Sequence, residues 1–171
     1  EKTYNFLKKK SIKFALMHTT NLYPTPNHLV RLESLNEMKK KFKDVVIGLS
    51  DHTKTSHSSL GAVAMGACIV EKHFVDSKKR IGPDISSSID EKELKKLIND
   101  CNIIFEQRGT GKNLLKEEQI TRNFAYASVV SIKNIEKEEK LSSKNIWVKR
   151  PGTGYFKAND YQKLLGKIAK K

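Results

Sequence analysis

The chain has 171 residues, with 33 Lys and Arg against 19 Asp and Glu, a formal net charge of +14. A length in the range of about one domain, with 37% hydrophobic and 30% charged residues, excludes a disordered or fibrous chain. No apolar run of about 18 residues is present to cross a membrane, residues 1–10 lack the apolar stretch of a secretory signal, and two cysteines cannot build a disulfide framework, so a reducing cytoplasm is expected.

In chain order, residues 12–18 form a short apolar run bounded by Asn21, Pro24 and Pro26, which reads as a buried strand and a loop. From 27 to 42, Leu29, Leu32, Leu35, Met38 and Phe42 fall at helical spacing. Residues 45–50 read as a second buried strand, ending in Asp51, His52 and Thr53. The Ala- and Gly-rich stretch 58–67 suits a tightly packed helix, and 68–74 a third strand. Asp90 and Glu93 form a capping-box pattern ahead of Leu94, Leu97, Ile98, Cys101, Ile104 and Phe105, which predicts an amphipathic helix. Strand, loop and helix repeated in this way is the rhythm of a parallel α/β fold. The composition changes near Gly109. The polar stretch 109–124 reads as a linker, followed by strands at 127–132 and 145–148, the tight loop Arg150-Pro151-Gly152-Thr153-Gly154 and a short helix ending at Leu165 and Gly166.

The charge raises the question of a polyanionic partner. The lysines run from Lys2 to Lys171 in short clusters such as Lys8-Lys9-Lys10 and Lys39-Lys40-Lys41, interleaved with Glu37, Asp44, Glu91, Glu93 and Glu136. No aromatic-basic repeat or zinc-knuckle spacing accompanies them. A solvated lysine-rich surface with neither nucleic-acid nor membrane partner is the expectation, and a basic polyanion-binding module the alternative.

In parallel α/β folds the chemistry gathers at the carboxyl ends of the strands. All three strand ends here are polar: 19–23, then Ser50-Asp51-His52, then Glu71-Lys72-His73. His52 and His73 close successive strands, so both imidazoles belong to one rim. Two histidines with nearby oxygen donors can hold a divalent ion and leave positions open for water or substrate; the alternative is that each caps its strand through hydrogen bonds. Alternation puts Glu71 on the same side as His73, a candidate for proton transfer, although Lys72 beside it offers a plain surface ion pair. Asp84, in Gly82-Pro83-Asp84, suits a turn or a ligand. Asn21 and Tyr23 offer an amide and a phenol to hydroxyl groups, and Ser50 a hydroxyl to a phosphate or carboxylate. Cys68 and Cys101 read as core fillers, since neither has an activating motif.

The stretches His18-Thr19-Thr20-Asn21-Leu22-Tyr23-Pro24-Thr25-Pro26, Gly48-Leu49-Ser50-Asp51-His52-Thr53, Glu71-Lys72-His73-Phe74, Gly82-Pro83-Asp84 and Lys149-Arg150-Pro151-Gly152-Thr153-Gly154, in this order and spacing, resemble the bacterial sialic acid synthases (N-acetylneuraminate synthases). The resemblance implies a TIM barrel followed by a small antifreeze-like (SAF) domain, working as a domain-swapped homodimer. It implies condensation of phosphoenolpyruvate with N-acetylmannosamine and release of phosphate. His52 and His73 would ligate Mn²⁺ or Mg²⁺, which polarises the sugar aldehyde and presents a water. Ser50 and Asn21 would hold phosphoenolpyruvate; Tyr23, Glu71 and Asp84 would bind the sugar, with Glu71 moving a proton. Arg150 would reach the N-acetyl group in the partner's site. The Gly82-Pro83-Asp84 loop argues against the pseudaminic branch of the family, and Asn21-Leu22-Tyr23 favours the sialic over the legionaminic branch; a legionaminic or other nonulosonic acid remains the alternative product. Thr19 stands where the family often has Cys.

A TIM barrel needs about 250 residues. Residues 1–108 therefore read as its last strands and helices, 109–124 as the linker and 125–171 as an incomplete SAF domain. The expectation is a fragment inactive alone, with an inactive truncated relative as the competing reading.

Overall fold

The computed structural model describes residues 1–170. The chain divides into two compact units, Glu1–Gly111 and Lys112–Lys171. The fold class is α/β, as the strand-helix rhythm predicts.

The first unit opens with helix α1 (Lys2–Lys9), which the sequence reading did not anticipate. No residue of α1 is fully buried. It is held through Tyr4, whose ring lies 5.8 Å from that of Phe14 and 4.8 Å from that of Phe42 and whose hydroxyl donates to Asp44 (2.6 Å). Three parallel strands follow: β1 (Ala15–Thr19), β2 (Val46–Asp51) and β3 (Ile69–Lys72), in the order β1-β2-β3. The intervening helices are α2 (Ser34–Lys41) and α3 (His57–Ala64), and α4 (Glu91–Gln107) comes after β3. The capping box forms as predicted: the Glu93 amide donates to the Asp90 carboxylate (2.9 Å) and the Asp90 amide to the Glu93 carboxylate (3.0 Å).

The single helix expected over 27–42 is instead a 3₁₀ turn (Asn27–Leu29), a left-handed residue at Arg31 (φ 53°) and α2. The physical reason lies in the end of β1. The Thr20 hydroxyl donates to the Leu29 carbonyl (2.9 Å) and the buried His18 Nε2 to the Val30 carbonyl (2.7 Å), so side chains occupy acceptors that a continuous helix would use.

One face of the sheet is covered. Ile47 and Leu49 of β2 pack with Leu35 of α2, Ala62 of α3 and Ala67, and Leu16, Leu32, Met38, Phe42 and Val45 surround them. Alternation sends Ala15, Met17 and Thr19, then Val46, Gly48 and Ser50, then Ile69 and Glu71 to the opposite face. At Gly48 the strands come so close that a Cβ would lie 2.6 Å from the Ile69 carbonyl oxygen, which only glycine permits. The core-filler expectation fails for Cys68, which is exposed in the turn entering the edge strand; Cys101 is half-buried on α4, and both are free.

In the second unit, a 3₁₀ turn (Lys116–Glu118) and α5 (Gln119–Ala125) occupy the stretch read as linker. Strands β4 (Ser128–Ser131) and β5 (Ile146–Lys149) pair antiparallel, and α6 (Tyr161–Leu164) follows. A polar residue anchors this unit. Asn145, 1% exposed, donates to the Glu139 carboxylate (2.9 Å) and the Lys140 carbonyl (3.0 Å) and accepts from the Ser142 amide (2.7 Å). No helix among the described residues is long and apolar enough to cross a membrane.

Candidate active site

The carboxyl ends of the three parallel strands converge on one cluster. His52 immediately follows β2 and is buried; its ring centroid lies 5.2 Å from that of half-buried His73, just beyond β3. Tyr23, on the loop after β1, covers both: its ring is 4.1 Å from His52, tilted, and 5.6 Å from His73, edge-on. Two residues back along each strand, Ser50 pairs with Glu71 across β2 and β3, and its hydroxyl donates to the Glu71 carboxylate at 2.6 Å. Asp84 holds a left-handed backbone (φ 64°), and its carboxylate stands 4.0 Å from His73 Nδ1, too far for a hydrogen bond.

The hydrogen bonds define the state of His52. Its Nδ1 lies 3.0 Å from the Thr20 carbonyl, which only accepts, so Nδ1 carries the proton. Nε2 faces the Ser50 hydroxyl at 3.4 Å, on the side of the ring away from that carbonyl. A metal-ligating histidine is oriented in this way, through a carbonyl on its far nitrogen. Among the described residues no three His, Cys, Asp or Glu side chains converge on one point. His52 and His73 would give an ion two imidazoles and leave its remaining positions to water and substrate. The donor set fits a divalent cation.

Six of the predicted residues come together here: Tyr23, Ser50, His52, Glu71, His73 and Asp84. Asn21 is exposed on the same loop as Tyr23 and, among the described residues, makes none of the cluster's hydrogen bonds. Arg150 belongs to the second unit, exposed at the end of β5 on a tightly held loop. There the Ser128 hydroxyl donates to the Pro151 carbonyl (2.9 Å) and accepts from the Gly154 amide (2.9 Å). A Cβ on Gly154 would lie 2.6 Å from the Ser128 Cβ.

The surface ion pair considered for Glu71 does not form. Lys72 turns to the helix-covered face, where its ammonium lies 3.3 Å from Asp51, the two side chains 2% and 1% exposed. Asp51 also accepts from the Ser58 hydroxyl (2.9 Å), the Ser59 hydroxyl (2.6 Å) and the Thr53 amide (2.8 Å), and Lys72 donates to the Thr53 carbonyl (2.8 Å). Burial opposes the Asp51 charge, yet the Ser59 hydroxyl, the Thr53 amide and Lys72 outweigh it and hold the carboxyl below its ordinary value. Burial draws the Lys72 ammonium down, against the pull of Asp51. The signal for this buried pair lay in its alternation against Ser50, His52, Glu71 and His73.

A family model described as the NeuB family matches residues 1–113. The chain belongs to the NeuB family. Among NeuB relatives, the N,N'-diacetyllegionaminic acid synthase of Campylobacter jejuni is 41% identical over 175 residues, all of this chain and 52% of the relative. The pseudaminic acid synthase of the same organism is 34% identical over 167 residues, covering 97% of this chain and 48% of the relative. The crystal structure of a sialic acid synthetase from Leptospira borgpetersenii, in complex with citrate, superposes with a TM-score of 0.66 at 34% identity, over 70% of this chain and 42% of that one. This NeuB chain thus spans about half the length of the curated relatives it matches.

Proposed function

We propose that this chain supplies the metal- and sugar-binding side of a nonulosonic acid synthase, which condenses phosphoenolpyruvate with an acetamido sugar and releases phosphate. The observation that carries the reading is the convergence of His52, His73, Tyr23, Ser50, Glu71 and Asp84 at one sheet edge in a chain of the NeuB family. Three parallel strands in sequential order, with helices on one face only, are what an arc of a TIM barrel presents. The second unit is read as the antifreeze-like domain.

His52 and His73 would hold Mn²⁺ or Mg²⁺, which as a Lewis acid polarises the aldehyde of the open-chain sugar. Tyr23 and Asp84 bind sugar hydroxyls around that aldehyde. Ser50 and Asn21 hold the phosphoenolpyruvate anion with its methylene carbon toward the sugar. That carbon attacks the aldehyde carbon, forming the new C–C bond, and the enol carbon bearing the phosphate becomes oxocarbenium-like. Glu71 would relay a proton, taking it from the water that adds to the cationic carbon and delivering it to the new alkoxide, which becomes the hydroxyl. The tetrahedral product loses phosphate with the bridging oxygen, leaving the keto acid. Arg150, in a domain-swapped homodimer, would bind the N-acetyl group in the partner's site. The assembly would work in the cytoplasm, with no part for nucleic acid or membrane.

N-acetylmannosamine is the first sugar to test. A second reading, an aldose carrying two acetamido groups, is favoured by the 41% identity to the legionaminic acid synthase. The test joins this chain to the part of the Campylobacter relative outside the match and measures keto-acid formation from phosphoenolpyruvate with each sugar. His52→Ala and His73→Ala are each expected to lower the rate at least about 100-fold, the cost of losing a ligand or its support. Undiminished condensation in one of these variants would remove that histidine from the reaction.

A further inference from the structure

The rungs joining β2 to β3 alternate between the two faces of the sheet. Ser50 bonds Glu71 on the open face, Asp51 pairs with Lys72 on the helix-covered face, and His52 meets His73 at the site beyond. The geometry points to Asp51 and Lys72 as positioning residues that set the register bringing the two imidazoles together. This rests on the site reading above and concerns groups that reading does not use.

Hydrophobic patterning alone does not specify this register. A slip of one residue would exchange the two faces and is excluded by burial. A slip of two keeps the faces but shifts β3 by about 6.6 Å against β2, more than the 5.2 Å between the imidazole centroids. Such a slip would set Asp51 opposite Val70 or Phe74 instead of Lys72 and separate two buried opposite charges. Buried ion pairs add little net stability, but they penalise every arrangement that separates them. Ser58 and Ser59, in the first turn of α3, tie the same rung to the helix layer.

The test uses the intact chain and two readouts. Nuclear Overhauser contacts between the His52 and His73 rings report position without metal, and Mn²⁺ titration reports affinity. In Lys72→Met, with far-UV circular dichroism unchanged, the inter-ring contact is expected to disappear and Mn²⁺ affinity to fall about 10–100-fold, the usual effect of losing support behind a metal ligand. Lys72→Arg, which keeps the charge, should restore both. If Lys72→Met does not fold, the double variant Asp51→Asn/Lys72→Met removes both buried charges and carries the same comparison. An inter-ring contact as strong as in the wild type, in a folded Lys72→Met or double variant, overturns the inference. A wild-type chain that shows the contact yet binds no Mn²⁺ would overturn the metal reading instead, and the ring contact in the variants would still decide the positioning role.

Discussion

At the scale of single residues, Ser50 makes the most exposed commitment. Its hydroxyl donates to Glu71 at 2.6 Å and stands 3.4 Å from His52 Nε2, so one small side chain touches both the proton-transfer candidate and a metal-ligand candidate. Ser50→Ala is expected to raise KM for phosphoenolpyruvate about tenfold, as for a lost hydrogen bond to a charged group, and to leave KM for the sugar within about twofold. Steady-state kinetics on the chain joined to the remaining part of the Campylobacter relative reads this directly; a rise confined to the sugar would move Ser50 out of the proposed phosphoenolpyruvate site. His52, His73 and Glu71 were legible in the sequence because each ends or closes an apolar run, where polarity needs a reason. Asp51 and Lys72 were not. Beside the histidine or glutamate of the same strand end they read as exposed polar neighbours; alternation sends them to the other face, and their register opposite one another shows them as a buried pair.

At the scale of elements, local chemistry decided what could be read. The α4 helix was legible to its first residue, because a capping box is a short-range device that Asp90 and Glu93 complete between themselves. It also carries a pH signature. The ion pair with Lys78 (2.8 Å) and the Asp90 amide hold the Glu93 carboxyl below its ordinary value, despite some burial. A carboxyl depressed in the folded state adds stability that is present above the unfolded pKa of about 4.3 and is lost as pH falls through the lower folded value. Glu93→Gln keeps the cap and removes the charge. The wild type should therefore exceed it by less than about 1 kcal/mol near neutrality, the pair being half-exposed, with the gap closing as the pH drops below about 4. Thermal unfolding of both proteins across pH checks the sign, and a gap that widens in acid would contradict it. The 27–42 segment was misjudged because its interruption is not local: Thr20 and His18, from the end of β1, bond the carbonyls of Leu29 and Val30. Helix α1 escaped the reading because nothing in it is buried, and its hold is one tyrosine against two phenylalanines, with Tyr4 and Lys8 both bonded to Asp44.

At the scale of the whole molecule, periodicity reaches the α/β class and the succession of strands and helices along the chain, whereas the antiparallel unit beyond Gly111 is organised by Asn145 and Ser128, polar residues that a hydrophobic pattern does not reveal. The net charge of +14 describes a lysine-rich surface, while the proposed chemistry rests on a handful of side chains at the carboxyl ends of three strands. The central claim is that these side chains join two carbon skeletons and expel phosphate by breaking a carbon–oxygen bond. The fate of the bridging oxygen tests it most directly. With phosphoenolpyruvate carrying ¹⁸O between carbon and phosphorus, an acetamido sugar and the completed barrel, all of the label should leave in the phosphate. Label retained in the keto acid, or phosphate released equally fast without sugar, would contradict the account.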